Sequence, residues 1–145
     1  MSTSTNAMLV YGYHLGGEDE LPDLDWYNPD EDDDFQEAAE RKLLADLAGF
    51  TETWDQVGEG HYARRSTAMK QVGVEFETHC SGNSPMFLLA TKTITVYRGS
   101  VEEIDPADLL AAPPEWDTRL RAALDTLGLN PTQETARWLL CSYWG

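Results

Sequence analysis

The amino-acid sequence predicts a single α+β domain spanning residues 1–145. The expected architecture is a ferredoxin-like βαββαβ two-layer sandwich, with a four-stranded antiparallel sheet, helices on one face and an acidic insertion after the first strand. Three observations predict it. The strongly patterned segments follow the order strand, helix, strand, strand, helix, strand. At 145 residues the chain has the commonest domain size, enough to bury roughly two thirds of its unfolded surface without disulfides or metal. Its 41% apolar content, with five Trp, six Tyr and four Phe, excludes a wholly disordered chain despite a formal net charge of −16.

Residues 1–6 read as a flexible N-terminus. The run Ala7-Met-Leu-Val-Tyr-Gly-Tyr-His-Leu15 is apolar and aromatic on both faces and stops at Gly16-Gly17, as a central strand does. Residues 18–34 form an acidic loop in which Pro22 and Pro29 oppose any helix before Asp30. Phe35, Ala38, Ala39, Leu43 and Leu47 then fall at helical spacing, with aspartates at the first turn and Gly49 as a stop. This predicts a helix over 33–48.

Residues 51–70 carry little pattern. Trp54 and Tyr62 flank a Gly58-Glu-Gly60 turn, and 63–70 reads as a short helix with a small basic face. Residues 72–80 alternate, with Val72, Val74 and Phe76 on one face and Glu75, Glu77 and His79 on the other. A loop at 81–85 and a strand-rich run at 86–98 complete an antiparallel hairpin. Asp105-Pro106 caps a single turn reaching Leu110. A helix after Pro113-Pro114 aligns Trp116, Leu120, Ala123, Leu124 and Leu127 in one stripe that Gly128 ends. Asn130-Pro-Thr-Gln133 resembles a further cap and short turn, and residues 136–144 form an aromatic last strand.

Between Glu18 and Glu40 there are 12 acids and no base, so the remaining 14 acids are set against all 10 Lys and Arg. Three quarters of the net charge therefore sits in 23 residues. A field of this sign repels nucleic-acid backbones and attracts basic proteins, so direct DNA or RNA binding is not expected. No apolar run reaches the ~18 residues needed to span a bilayer, and the N-terminus lacks the features of a secretory signal. A cytoplasmic protein without membrane contact is expected. Cys80 and Cys141 then read as reduced thiols. Three Lys against seven Arg, with only two Ile, fit coding from a GC-rich genome such as that of an actinobacterium or its phage.

The acidic stretch offers carboxylates at alternating positions but no calcium register. Counting from Asp23, the sixth residue is Asn28 and the twelfth Asp34; from Asp30 they are Phe35 and Arg41. An EF-hand needs Gly and Glu at those positions. His14, His79, Cys80 and Cys141 do not make a four-ligand transition-metal centre either, because neighbouring strand residues His79 and Cys80 point to opposite faces. Phosphate-cradling glycine motifs are absent. No cofactor and no metal are expected.

Two surfaces remain as candidates. The first is a partner-binding face made of Asp23, Asp25, Asp30, Asp32, Asp33 and Asp34 with Trp26, Tyr27 and Phe35 as apolar anchors. It implies a non-enzymatic interaction protein with a basic protein partner. In size and charge the chain resembles small acidic inhibitors, immunity or antitoxin-type proteins and phage-encoded DNA mimics. Mimicry ranks lower, because these carboxylates crowd one segment. The second candidate is a small-ligand site or small-enzyme site at His14, His79, Cys80 and Asn83, near a loop between two strands. Apolar side chains on both sides of the last strand, Trp138, Leu140, Tyr143 and Trp144, also allow a homodimer.

Overall fold

The computed structural model describes residues 5–31, 34–53, 58–81 and 83–144. It shows an α+β arrangement of four strands in one mixed sheet and four helices. The strands are β1 (Thr5–Gly17), β2 (Glu75–Ser81), β3 (Ser84–Val96) and β4 (Arg137–Trp144). The helices are α1 (Phe35–Ala48), α2 (His61–Val72), α3 (Pro106–Leu110) and α4 (Pro114–Leu127).

β1 is central, as its apolar run predicts. It pairs antiparallel with β3 from Ala7 to Gly17 and with β4 from Thr5 to Gly12. β3 pairs antiparallel with β2 through to Ser81 opposite Ser84, so the hairpin connection is two residues long, shorter than the loop expected from the sequence. The open, all-antiparallel sheet does not hold. A parallel bridge between Cys80 and Tyr143 joins β2 to β4 and closes the sheet.

The closure has a physical cause. Side chains alternate across the strands into two apolar layers. One layer, including Tyr11, Tyr13, Phe76, Phe87 and Leu89, is covered by α1, α2 and α4. The other, Met8, Val10, Leu88 and Ala90, lies at most 4% exposed with Leu139, Cys141 and Tyr143 packed against it. With no helix among the described residues packed on that side, the sheet buries this face by curling on itself. Register shifts at Tyr11/Gly12 and His14/Gly16 supply the bends. At the first, a Cβ on Gly12 would lie 1.8 Å from the Leu89 carbonyl oxygen, so only glycine admits the close approach of β1 to β3.

The helices follow their sequence signals with some extension. The Asp34 carboxylate caps α1 by accepting from the Gln36 N–H at 2.9 Å, and Gly49 at φ +64° stops it. α2 runs from His61 to Val72, longer than the 63–70 turn, because Gly73 at φ +74° provides the stop after Val72. Val72 therefore ends a helix instead of opening a strand. α3 begins at Pro106 with the Asp105 carboxylate accepting from the Ala107 N–H. α4 buries Leu120, Ala123, Leu124 and Leu127, as its stripe predicts. No helical turn forms at Asn130–Gln133; the Gln133 amide instead donates to the Gly12 and Thr135 carbonyls at 2.7 Å and braces β1.

Aromatic contacts fasten the layers. The Tyr11 hydroxyl donates to the Asp117 carboxylate at 2.6 Å, and its ring lies 5.5 Å from Trp116 and 5.4 Å from Trp138. Trp138 donates its indole N–H to the Leu109 carbonyl at 2.8 Å, which docks α3 on β4. Leu140, two residues on, remains 77% exposed. Among the described residues no helix is long and apolar enough to cross a membrane.

Candidate functional site

The acidic segment is a strap. It leaves β1 after Gly17, just past the bend at Gly16 where φ is +80°, and passes through a 3-10 turn at Glu18–Glu20 before reaching α1. Leu21, Leu24, Trp26 and Tyr27 are half-buried against the helical layer. Leu24 lies 4.0 Å from a Cβ position on Gly128, and Trp26 donates its indole N–H to the Leu127 carbonyl at 2.8 Å, so the strap crosses the C-terminal end of α4. The Asn28 side chain accepts from the Asp30 N–H at 3.0 Å, a local turn.

Between these attachment points the carboxylates project. Glu18, Asp19, Glu20, Asp23, Asp25, Asp30, Glu31, Asp34 and Glu37 are all exposed. Among the described residues, ion pairs draw on Glu40, Asp46 and Glu52, and none draws on the carboxylates from Glu18 to Glu37. The described part of the strap thus presents a run of exposed carboxylates. Asp32 and Asp33, expected on the same face, lie outside the described residues.

One expected anchor is corrected. Phe35 is completely buried at the start of α1, with Phe87 at 5.0 Å, Phe76 at 6.0 Å, Trp26 at 5.8 Å and Tyr27 at 5.4 Å between ring centres. It has no surface to offer a partner. Its neighbours hold it because the first turn of α1 points into the core. Trp26 and Tyr27 fold back onto it and pin the strap, leaving only part of each ring accessible.

The second predicted group divides in two. His14 on β1 and His79 on β2 bring their rings to 5.5 Å between centres, tilted by 45°. Burial, with the His14 charge second, holds the His79 imidazole below its ordinary range. Cys80 and Asn83, both exposed, instead line a cleft of about 390 Å³ with Glu18, Asp19 and Glu20. The hairpin tip and the root of the strap are therefore neighbours, which no spacing in the sequence reveals. Cys80 has φ +74°, the one non-glycine residue with positive φ among those described, and it sits at the bridge that closes the sheet. The second cysteine, Cys141, is unpaired and half-buried, with its thiol pushed up by burial and by the Glu77 charge.

A larger cavity, about 500 Å³, was not anticipated. It lies between α1 and α2 and is lined by Leu44, Phe50, His61 and Tyr62 with Arg41 and Arg65. Arg65 reaches Glu40 at 3.0 Å, and Arg64 forks onto Glu52 with contacts of 2.6 and 2.8 Å while also donating to the Glu59 carbonyl. The Arg64 hydrogen bonds hold the Glu52 carboxyl below its usual range. Glu37 and Glu52 line it together with Arg41 and Arg65, so it selects no sign of charge. Trp54, which the sequence places beside this region, lies outside the described residues. The available signal was the pair Arg64-Arg65 on a short helix; the burial of His61 to 5% exposure had none.

Comparison with protein-family models, with curated proteins and with solved structures finds no match to this chain.

Proposed function

We propose that this chain is a non-enzymatic interaction protein that presents its acidic strap to a basic partner protein. One observation carries the reading. Half-buried Leu21, Leu24, Trp26 and Tyr27 pin the strap to the domain while its carboxylates stay exposed. A charged surface already held in place loses little conformational freedom on binding, and its field accelerates encounter with an oppositely charged partner. Because Phe35 is core and the two other rings show only part of their area, charge supplies more of the recognition than aromatic anchoring, and binding weakens with salt. Inhibitor, immunity and phage accessory roles fit this chemistry. DNA mimicry fits less well, since the carboxylates occupy one strap and not an extended surface.

A cytoplasmic setting suits the two unpaired thiols. A ferredoxin-like origin of the fold belongs to the same proposal, supported by antiparallel pairing of β1 with β3 and β4 and of β3 with β2.

The test uses the variant Asp23→Asn, Asp25→Asn, Asp30→Asn, Glu31→Gln, all at exposed positions. Immobilised wild-type chain should retain one stoichiometric basic protein from the source cell, and raising the salt should release it. The variant should lose that protein while unfolding at an unchanged temperature. Equal retention by both chains defeats the proposal.

A further inference from the structure

His14 and His79 belong to strands that are not neighbours. β3 lies between them, with His14 opposite Leu88 and His79 opposite Met86. Leu88 belongs to the inner, helix-free layer, and strand alternation puts both histidines on that side. The register shift between His14 and Gly16 bends β1 at this point, and the two rings meet at 5.5 Å.

A second observation points to a ligand. The Nε2 atom of His79 is shut off from solvent and has no hydrogen-bond partner among the described residues. Leaving a buried polar atom in that state costs about 1–3 kcal/mol. Such an atom in a folded protein calls for an explanation, an ion or a water among them.

The spacing suits a shared ion. Imidazole nitrogen binds zinc at about 2.0–2.1 Å, which sets the ion roughly 3 Å from each ring centre. Two rings on one ion at tetrahedral or square-planar angles then have centres about 4.5–5.2 Å apart, a few tenths of an ångström less than the 5.5 Å here, so a small rotation of the exposed His14 side chain completes the approach. We propose that His14 and His79 form a two-imidazole site for a divalent transition ion of the zinc and nickel class, with water in the remaining positions. Among the described residues no third His, Cys, Asp or Glu completes a cluster around them, so the site has moderate affinity and is entered from the side of the exposed His14. It differs from the four-ligand centre that the opposed directions of His79 and Cys80 exclude. Magnesium and calcium, which require several oxygen ligands, are not accepted there.

Calorimetric titration of reduced protein with Zn²⁺, Ni²⁺ and Mg²⁺ tests the site. Wild type should take up one equivalent of Zn²⁺ or Ni²⁺ and none of Mg²⁺. His14→Ala and His79→Ala should each weaken binding at least about tenfold, in the range seen when a ligand or its support is lost. The double variant Cys80→Ser, Cys141→Ser and the four-fold strap variant should bind as wild type does. His14 is exposed, so its alanine variant keeps the fold and its thermal midpoint should no longer rise with metal. Binding that survives both histidine substitutions, that disappears with the thiols or the strap carboxylates, or that is absent at millimolar metal overturns the proposal.

Discussion

Trp26 and Leu127 lie 101 positions apart and are joined by a 2.8 Å hydrogen bond from the indole N–H to a carbonyl in the last turn of α4. The last carbonyls of a helix have no partner within it, so this bond satisfies a group that would otherwise depend on water. It also makes the strap part of the domain. An acidic segment that would repel itself as a free loop is held instead by one polar bond and several apolar contacts.

Replacing Trp26 separates these contributions. Trp26→Phe keeps most of the ring but removes the donor, and should cost about 1 kcal/mol. Trp26→Ala also removes the packing on Phe35 and should cost about 2–3 kcal/mol. Urea denaturation at matched salt measures both. Equal effects of the two substitutions would show that the hydrogen bond contributes nothing in solution.

Phe35 supports a sharper contrast. As a fully buried residue ringed by four aromatic side chains, it should cost about 3–5 kcal/mol when truncated to Ala, whether or not a partner is present. A surface anchor would instead leave unfolding unchanged and reduce only binding. Denaturation of Phe35→Ala in the absence of any partner decides between them.

What was legible in the sequence follows from what is local. The stripe Trp116, Leu120, Ala123, Leu124, Leu127 with Gly128 behind it fixes α4, because period, stop and burial all agree. The strand read at 72–80 was legible in its alternation around Phe76, but it begins only at Glu75, after Val72 has ended α2 and Gly73 has turned the chain. α2 was half-legible, since its buried face is only His61, Ala68 and Val72, too sparse to make a period. Closure of the sheet was not legible at all: it depends on the bulge at Gly12 and on the positive φ of Cys80, which arise from strand-to-strand fit. The same holds at the candidate sites. His14, His79, Cys80 and Asn83 were named together, but their division into a ring pair and a cleft wall is set by which strands flank β3. For Phe35, the sequence left open whether the first aromatic of α1 faced inward or outward.

Gly12 is the position where the fold tolerates least. A methyl group there would meet the Leu89 carbonyl oxygen at 1.8 Å and its Cα neighbour Ala90 at 2.9 Å, all backbone atoms that cannot rotate away. Gly12→Ala must therefore part β1 from β3 locally, with an expected loss on the order of 3 kcal/mol or more. Gly49→Ala is the control: unlike Gly12 it has a positive φ, +64°, and nothing lies within 4 Å of its Cβ position, so it meets backbone strain alone. Its loss should be about 1 kcal/mol. Similar losses at the two sites would mean that the β1–β3 approach is looser than the geometry indicates.

Tyr11 links the fold to pH. Its phenol is pushed up to about 12, first by burial, then by the hydrogen bond and the negative charge of Asp117. The folded chain therefore holds this proton more tightly than the unfolded chain, in which tyrosine titrates near 10. The stability that Tyr11 contributes is fully present below pH 10 and is lost as pH rises from 10 to about 12. Tyr11→Phe removes both the proton and the bond to Asp117. At about pH 8 it should be roughly 1.5 kcal/mol less stable than wild type, the usual worth of a hydrogen bond to a charged group. As the pH climbs toward 12, wild type should lose stability faster and the gap between the two should narrow. Denaturation midpoints measured across this range, with ultraviolet titration of the tyrosines as a second readout, follow the change. Curves that stay parallel throughout would mean that Tyr11 titrates as an ordinary tyrosine and that its contact with Asp117 is not made in solution.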